Sequence, residues 1–191
     1  MALPHIQNSE AGRNLYDPYH NSIFYVYFTL PEALRDEFGQ DEALISEHVK
    51  TVSGLDALDK GPDTGKQTFM GTTRTFVNPK MDTTSAEDIS IVFTLNLRNG
   101  VDNYIYKLFK AWKNLNYNLE TGAINLKKDY VANWLKIEIA NRAGDVIRQI
   151  VFKDVMLKGE IGGMGELNYT NNEAVELTVH FASDWWKDIV A

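Results

Sequence analysis

Polar and apolar residues alternate along residues 88–97, where Ile89, Ile91, Phe93, Leu95 and Leu97 face one way and Asp88, Ser90, Thr94 and Asn96 the other, interrupted only by Val92. A period of two sends successive side chains to opposite faces, so this segment predicts a strand with one face in a core and the other in water. The end of the chain repeats the pattern: Val175, Leu177, Val179 and Phe181 share one face, Glu176, Thr178 and His180 the other, and the strand ends on Trp185 and Trp186. Adjacent strand residues point apart, so one of these tryptophans is expected against a partner or in solvent.

Other elements follow the same logic. Residues 22–30 are dense in β-branched and aromatic residues and stop at Pro31, which predicts a strand with Phe24, Val26 and Phe28 on one face and Ile23, Tyr25 and Tyr27 on the other. Residues 31–39 predict a short helical turn between Pro31 and Gly39. Residues 43–53 predict a further strand, and residues 54–65, rich in Gly and Asp, a loop. Residues 66–77 and 88–97 are expected to pair as a hairpin through a turn around Asn78 and Pro79. Val101, Tyr104, Ile105, Leu108, Trp112 and Leu115 recur at helical spacing, predicting one main helix over 101–115 that packs on a sheet. Strands over 130–140 and 146–158 would be joined by a turn at 141–145. The pattern is that of a mainly β, α+β protein, an antiparallel β-barrel or two packed sheets flanked by one main α-helix. It reads as a single domain over residues 1–191, with residues 1–21 as a polar arm.

Composition narrows the function classes. At 191 residues the chain can bury a core without staples. No apolar run approaches the roughly 20 residues of a membrane helix, and the N-terminus lacks the pattern of a secretory signal, so synthesis in the cytoplasm with no membrane partner is expected. The absence of cysteine excludes disulfides, thiolate metal sites and a cysteine nucleophile. A net charge of −7 argues against a protein that grips nucleic acid.

Candidate chemistry is sparse. The run from Gly61 to Thr68 imitates a phosphate loop, but its glycines are spaced too closely, Gln67 stands where Ser or Thr is needed, and a β-rich segment follows in place of a helix. Gly159, Gly162, Gly163 and Gly165 read as a bend or a close backbone approach. His5, His20, His48 and His180 are scattered, with no obvious carboxylate companion. Asp36, Glu37, Asp41 and Glu42, like Asp56, Asp59 and Asp63, read as solvated acidic loops. No catalytic residue, cofactor or metal is expected, and the chain is read as a non-enzyme.

Residues 51–55 (Thr-Val-Ser-Gly-Leu), residues 94–100 (Thr-Leu-Asn-Leu-Arg-Asn-Gly), residues 109–112 (Phe-Lys-Ala-Trp) and the stretch from Leu167-Asn168-Tyr169 to Trp185 together resemble the tail tube proteins of contractile-tailed bacteriophages, over roughly residues 20–187. The resemblance implies a structural virion protein. Its subunits would close into hexameric rings that stack into an inner tail tube, a conduit for DNA ejection inside a contractile sheath. Implied partners are further copies of the chain, the tail sheath protein, and baseplate and tail terminator proteins, with DNA passing unbound through the lumen. The implied location is the phage tail, assembled in the host cytoplasm. Ser90, Thr94, Asn96, Glu176 and Thr178 become lumen candidates. Leu55, Asp56, Asp59, Asp63, Asn78, Pro79, Trp185 and Trp186 become candidates for ring stacking or subunit interfaces. Residues 116–129 look like an insertion without an assigned role. The alternatives are the tube of a bacterial contractile injection system and a monomeric β-rich module presenting Tyr16, Tyr19 and Trp185 to a ligand.

Overall fold

A computed structural model describes residues 23–39, 42–58, 64–77, 86–97, 102–162 and 174–190. In chain order the elements are β1 (Phe24–Phe28), α1 (Glu32–Phe38), α2 (Glu42–Glu47), β2 (Val49–Ser53), β3 (Thr64–Phe69), β4 (Thr72–Val77), β5 (Ala86–Thr94), α3 (Tyr104–Asn116), α4 (Lys127–Tyr130), β6 (Ala132–Ala140), β7 (Val146–Leu157) and β8 (Glu176–Val190). Among the described residues, six strands form one antiparallel sheet in the order β1-β6-β7-β8-β5-β2, while β3 and β4 pair only with each other. The result is a curled, half-barrel sheet, a second small sheet and one main helix, within the predicted class.

The helix fills the curl. Asn103 caps α3 by accepting from the Tyr106 N–H at 3.3 Å, and Tyr104, Ile105, Leu108, Phe109 and Trp112 are buried. The Phe109 ring sits 4.8 Å from Phe93 and 6.2 Å from Phe181, and Trp112 lies 5.9 Å from Phe181. Each large apolar side chain buried this way contributes about 1.5–3 kcal/mol. Polar edges of the aromatics are satisfied: Trp112 Nε1–H donates to the Tyr130 carbonyl at 2.7 Å, and the Tyr104 hydroxyl donates to the Phe38 carbonyl at 2.9 Å. The first bond ties α3 to α4, the second ties it to α1. The unassigned stretch 116–129 is thus partly a strap: an antiparallel bridge between Tyr117 and Ile124 closes a small loop, Asn125 Nδ2–H donates to the Leu115 carbonyl, and α4 then leads into β6.

Three sequence expectations are corrected. Residues 43–53 begin as α2, and only Val49–Ser53 is strand. The expected hairpin of 66–77 with 88–97 does not form. Residues 64–77 fold back on themselves through Met70-Gly71, both at positive φ (48° and 80°), and β5 pairs with β8 and β2. A two-residue turn with positive φ at both positions matches the twist of the strands it joins, so the local hairpin wins over the more distant pairing. The burial of Ile89, Ile91 and Phe93 in β5, and of Leu177, Val179 and Phe181 in β8, is as expected. Leu97 and Val175 lie beyond the strand ends and are exposed, not core.

A kink crosses three strands at one level. Inward residues are Leu135 and Ile137 in β6, Ile150 and Phe152 in β7, and Trp186 in β8; below that level they become Ala132, Val155 and Ser183. An inward residue at 152 and the next at 155 means that the alternation slips once, and Asp154, at φ 54°, lies in the slip. The same slip in the paired strands keeps cross-strand partners on the same face. It lets Phe181 and Trp186, of opposite parity, both turn inward.

Candidate assembly surfaces

The sheet ends in two open edges. Among the described residues β1 pairs only with β6 and β2 only with β5, so each leaves a row of backbone N–H and C=O groups facing outward, the usual template for a further strand. Between these edges lies a cleft of about 390 Å³ lined by Phe24, Val52, Leu55, Ile137, Ile139 and Arg148. Gly54 shapes its rim: at φ +88° it turns the chain from β2 into a 3-10 turn at Leu55–Ala57, and a Cβ there would stand 2.2 Å from the Asp88 carbonyl oxygen. Leu55 is thereby half-buried at the cleft and Asp56 exposed beside it. The neighbouring candidates Asp59, Asp63, Asn78 and Pro79 lie outside the described residues, as do the arm 1–21 with Tyr16 and Tyr19, His5, His20, Val101, Gly163 and Gly165.

The β3–β4 hairpin is a second surface. It buries almost nothing: Phe69 and Met70 are 74 and 90% exposed at its tip, and Phe76, near its base opposite Gly65, is 47% exposed. An isolated two-stranded hairpin is marginal in water, and apolar residues clustered on one signal a missing partner. Sequence reasoning spread this segment over a single arm. The readable signal was Gly71 between two threonine-rich and aromatic runs.

The lumen candidates share the outer face of β5 and β8. Ser90 stands opposite His180, and Thr94 opposite Glu176, in the strand register, with Thr178 opposite Val92; none is in the core. Asn96 is exposed beyond the end of β5. This face is cross-linked between strands: Lys50 of β2 forms a salt bridge with Glu176, and His180 Nδ1 is within hydrogen-bond distance of Asp88 Oδ1, at 2.9 Å. The expectation that His180 lacks a carboxylate companion is therefore corrected; Asp88 is distant in sequence but one strand away in the sheet. Ser90, His180 and Asp88 are the residue types of a nucleophilic triad, yet no hydrogen bond joins the Ser90 hydroxyl to the imidazole and the group lies on an exposed strand face with no converging amides. The geometry is that of a surface hydrogen bond between His180 and Asp88. Among the described residues, no cluster of three or more His, Asp or Glu side chains could hold a metal.

Of the glycine cluster, Gly159 takes a positive φ of 73°, and Gly162 exchanges backbone hydrogen bonds with Thr178 at 3.1 and 2.7 Å, a close approach that extends the sheet past the end of β7. Trp185 and Trp186 do part as expected. Trp186 packs against the core behind Phe152, while Trp185 is 37% exposed on the outer face with Lys153 Nζ 5.3 Å above its ring.

No protein-family model matches the chain, and no curated protein matches it. Solved structures do. The tube-terminating cap of the anti-feeding prophage aligns over 93% of this chain and 94% of its own, at 17% identity and a TM-score of 0.59. A chain of the sheath-tube complex of the extracellular contractile injection system PVC, in its extended state, aligns over 96% of this chain and 99% of its own, at 14% identity and a TM-score of 0.59. The sheath/tube terminator of that system aligns over 92% and 99%, at 13% identity and a TM-score of 0.54. The chain has the fold of the tube and cap components of contractile injection systems.

Proposed function

We propose that the protein is a structural subunit of the inner tube of a contractile injection apparatus, closing into six-membered rings that stack inside a sheath. The observation that carries this reading is the pair of open sheet edges on β1 and β2, at the two ends of one curled sheet. A subunit with a strand edge at each end can extend its sheet into a copy on either side, and a heterologous contact repeated around an axis closes into a ring. The exposed apolar hairpin β3–β4 is then a contact between successive rings, together with the candidates Asp59, Asp63, Asn78 and Pro79. The fold match over more than nine-tenths of the chain supports the same role.

The polar face with Ser90, Thr94, Asn96, Glu176 and Thr178 is our candidate lumen wall. Six copies at −7 each give a formal −42 per ring, and a lumen of that sign would let polyanionic or acidic cargo pass without adhering. The matched structures favour the injection-system form of the tube; a phage tail that ejects DNA is the second reading, with sheath, terminator and baseplate proteins as partners in either. Negative-stain microscopy of the purified protein tests the proposal. Rings or tubes about 10 nm across are expected, the scale of six such domains around a pore. A monodisperse monomer at high concentration would overturn it.

A further inference from the structure

The outer face of β1, β6, β7 and the C-terminal half of β8 differs from the polar face beside it. Strand register sorts its side chains into three rows: Trp134, Lys153 and Trp185; then Tyr27, Lys136, Val151 and Lys187; then Tyr25, Glu138, Gln149 and Ile189. With strands about 4.8 Å apart and rows about 7 Å apart, this is a platform roughly 14 Å on each side between Cα atoms. Two of the three lysines lie over rings. Lys136 Nζ is 4.6 Å from the Tyr27 centroid and 6.0 Å from Trp134, as Lys153 is over Trp185. Such contacts hold the long side chains in place and leave apolar ring surface between ammonium groups. The one acid of the platform, Glu138, is engaged by Lys136 at 2.9 Å and by Gln149 Nε2–H at 2.8 Å. The platform thus carries a net positive charge on a chain of net −7.

A complementary surface exists on the same chain. Leu34 and Phe38 anchor α1 in the core, which leaves Glu32, Asp36 and Glu37 exposed, while Arg35 Nε–H donates back to the Leu30 carbonyl at 3.2 Å. Glu32 and Asp36 are one helical turn apart, about 6 Å along the axis, close to the roughly 7 Å between adjacent lysine rows. α1 is tied to α3 through the Tyr104–Phe38 hydrogen bond, on the inner side of the sheet, whereas the platform faces outward. The two surfaces therefore meet only between copies.

We propose that the lysine–aromatic platform docks onto the acidic α1 of a second copy of this chain. The proposal rests on the tube reading for its setting. A single-stranded nucleic acid could also stack on aromatics beside lysines, but the charge complement on this chain favours the second copy.

Reversing the platform (Lys136→Glu, Lys153→Glu and Lys187→Glu together) should raise the concentration needed for assembly, followed by sedimentation velocity and microscopy, at least tenfold. Reversing α1 (Glu32→Lys, Asp36→Lys and Glu37→Lys) should do the same. An equimolar mixture of the two variants should assemble again, because each platform can then meet an α1 of opposite charge. Circular dichroism of the monomeric variants checks that each folds, and the triple Lys→Arg platform should assemble like the wild type. Wild-type tubes together with unaffected variants would overturn the platform contact and leave the tube reading standing. So would two impaired variants that fail to rescue each other, or an oligo-dT affinity lost on platform reversal while assembly persists. A wild-type chain that never assembles would overturn both.

Discussion

The rings of Phe28 and Phe93 lie 6.0 Å apart, centroid to centroid, although their strands hold the first and fifth places in the six-stranded sheet. In a flat sheet four strand spacings would separate them by about 19 Å. The sheet therefore curls until its first strand meets its fifth through the interior, and Phe28, also 5.8 Å from Phe181, is a keystone of that closure. Phe28→Ala should lower stability by about 3–5 kcal/mol in urea unfolding, the usual range for a buried Phe truncated in a tight core. A loss below about 1 kcal/mol would show that the curl does not depend on it.

Gly54 should tolerate no side chain. Its φ of +88° is unfavourable for other residues, and the added Cβ would overlap a backbone oxygen of β5 that has little room to move. Gly54→Ala is expected to cost at least about 2 kcal/mol, visible as a drop in Tm, and to loosen the rim of the cleft between the sheet edges. An unchanged Tm would mean that the β2–β5 junction relaxes freely.

Ser183 predicts the opposite sign. Its hydroxyl is buried at 3% exposure, beside Val155 in the register, and its Oγ has no hydrogen-bond partner. Ser183→Ala removes an unsatisfied polar group without opening a sizeable cavity, so stability should stay level or rise by up to about 1 kcal/mol. Clear destabilisation in the same urea titration would reveal a partner for the hydroxyl, such as an ordered water.

The β3–β4 hairpin separates folding from stacking. Phe69→Ser with Phe76→Ser should leave the monomer's Tm within a few degrees, because neither side chain is buried. The same variant should form rings that do not lengthen into tubes. Normal tubes under the microscope would remove the hairpin from the stacking contact.

Much of the local structure was legible in the residues. The alternation in residues 88–97 and 175–181 identified two central strands and their buried faces, and the stripe from Tyr104 to Trp112 identified the main helix, because a period of two or 3.6 depends only on near neighbours. The opposed directions of Trp185 and Trp186 followed from the same rule. Residues 43–47 were misread because so short an apolar run does not separate helix from strand. The partner of residues 66–77 was misread because Met70, an uncommon residue at positive φ, masked the turn that Gly71 signals.

What the sequence by itself determined was which side chains face inward along β5, along β8 as far as Phe181 and along α3, since a regular period of two or 3.6 is set locally. Which strands neighbour one another was decided by the tertiary structure. Packing around α3 curls the sheet, brings Phe28 to Phe93, places Asp88 beside His180 and assembles Trp134, Lys153 and Trp185 into one row from three strands. These relationships join residues tens of positions apart. They arise because one helix must be enclosed by one sheet, a condition that no single segment of the chain expresses.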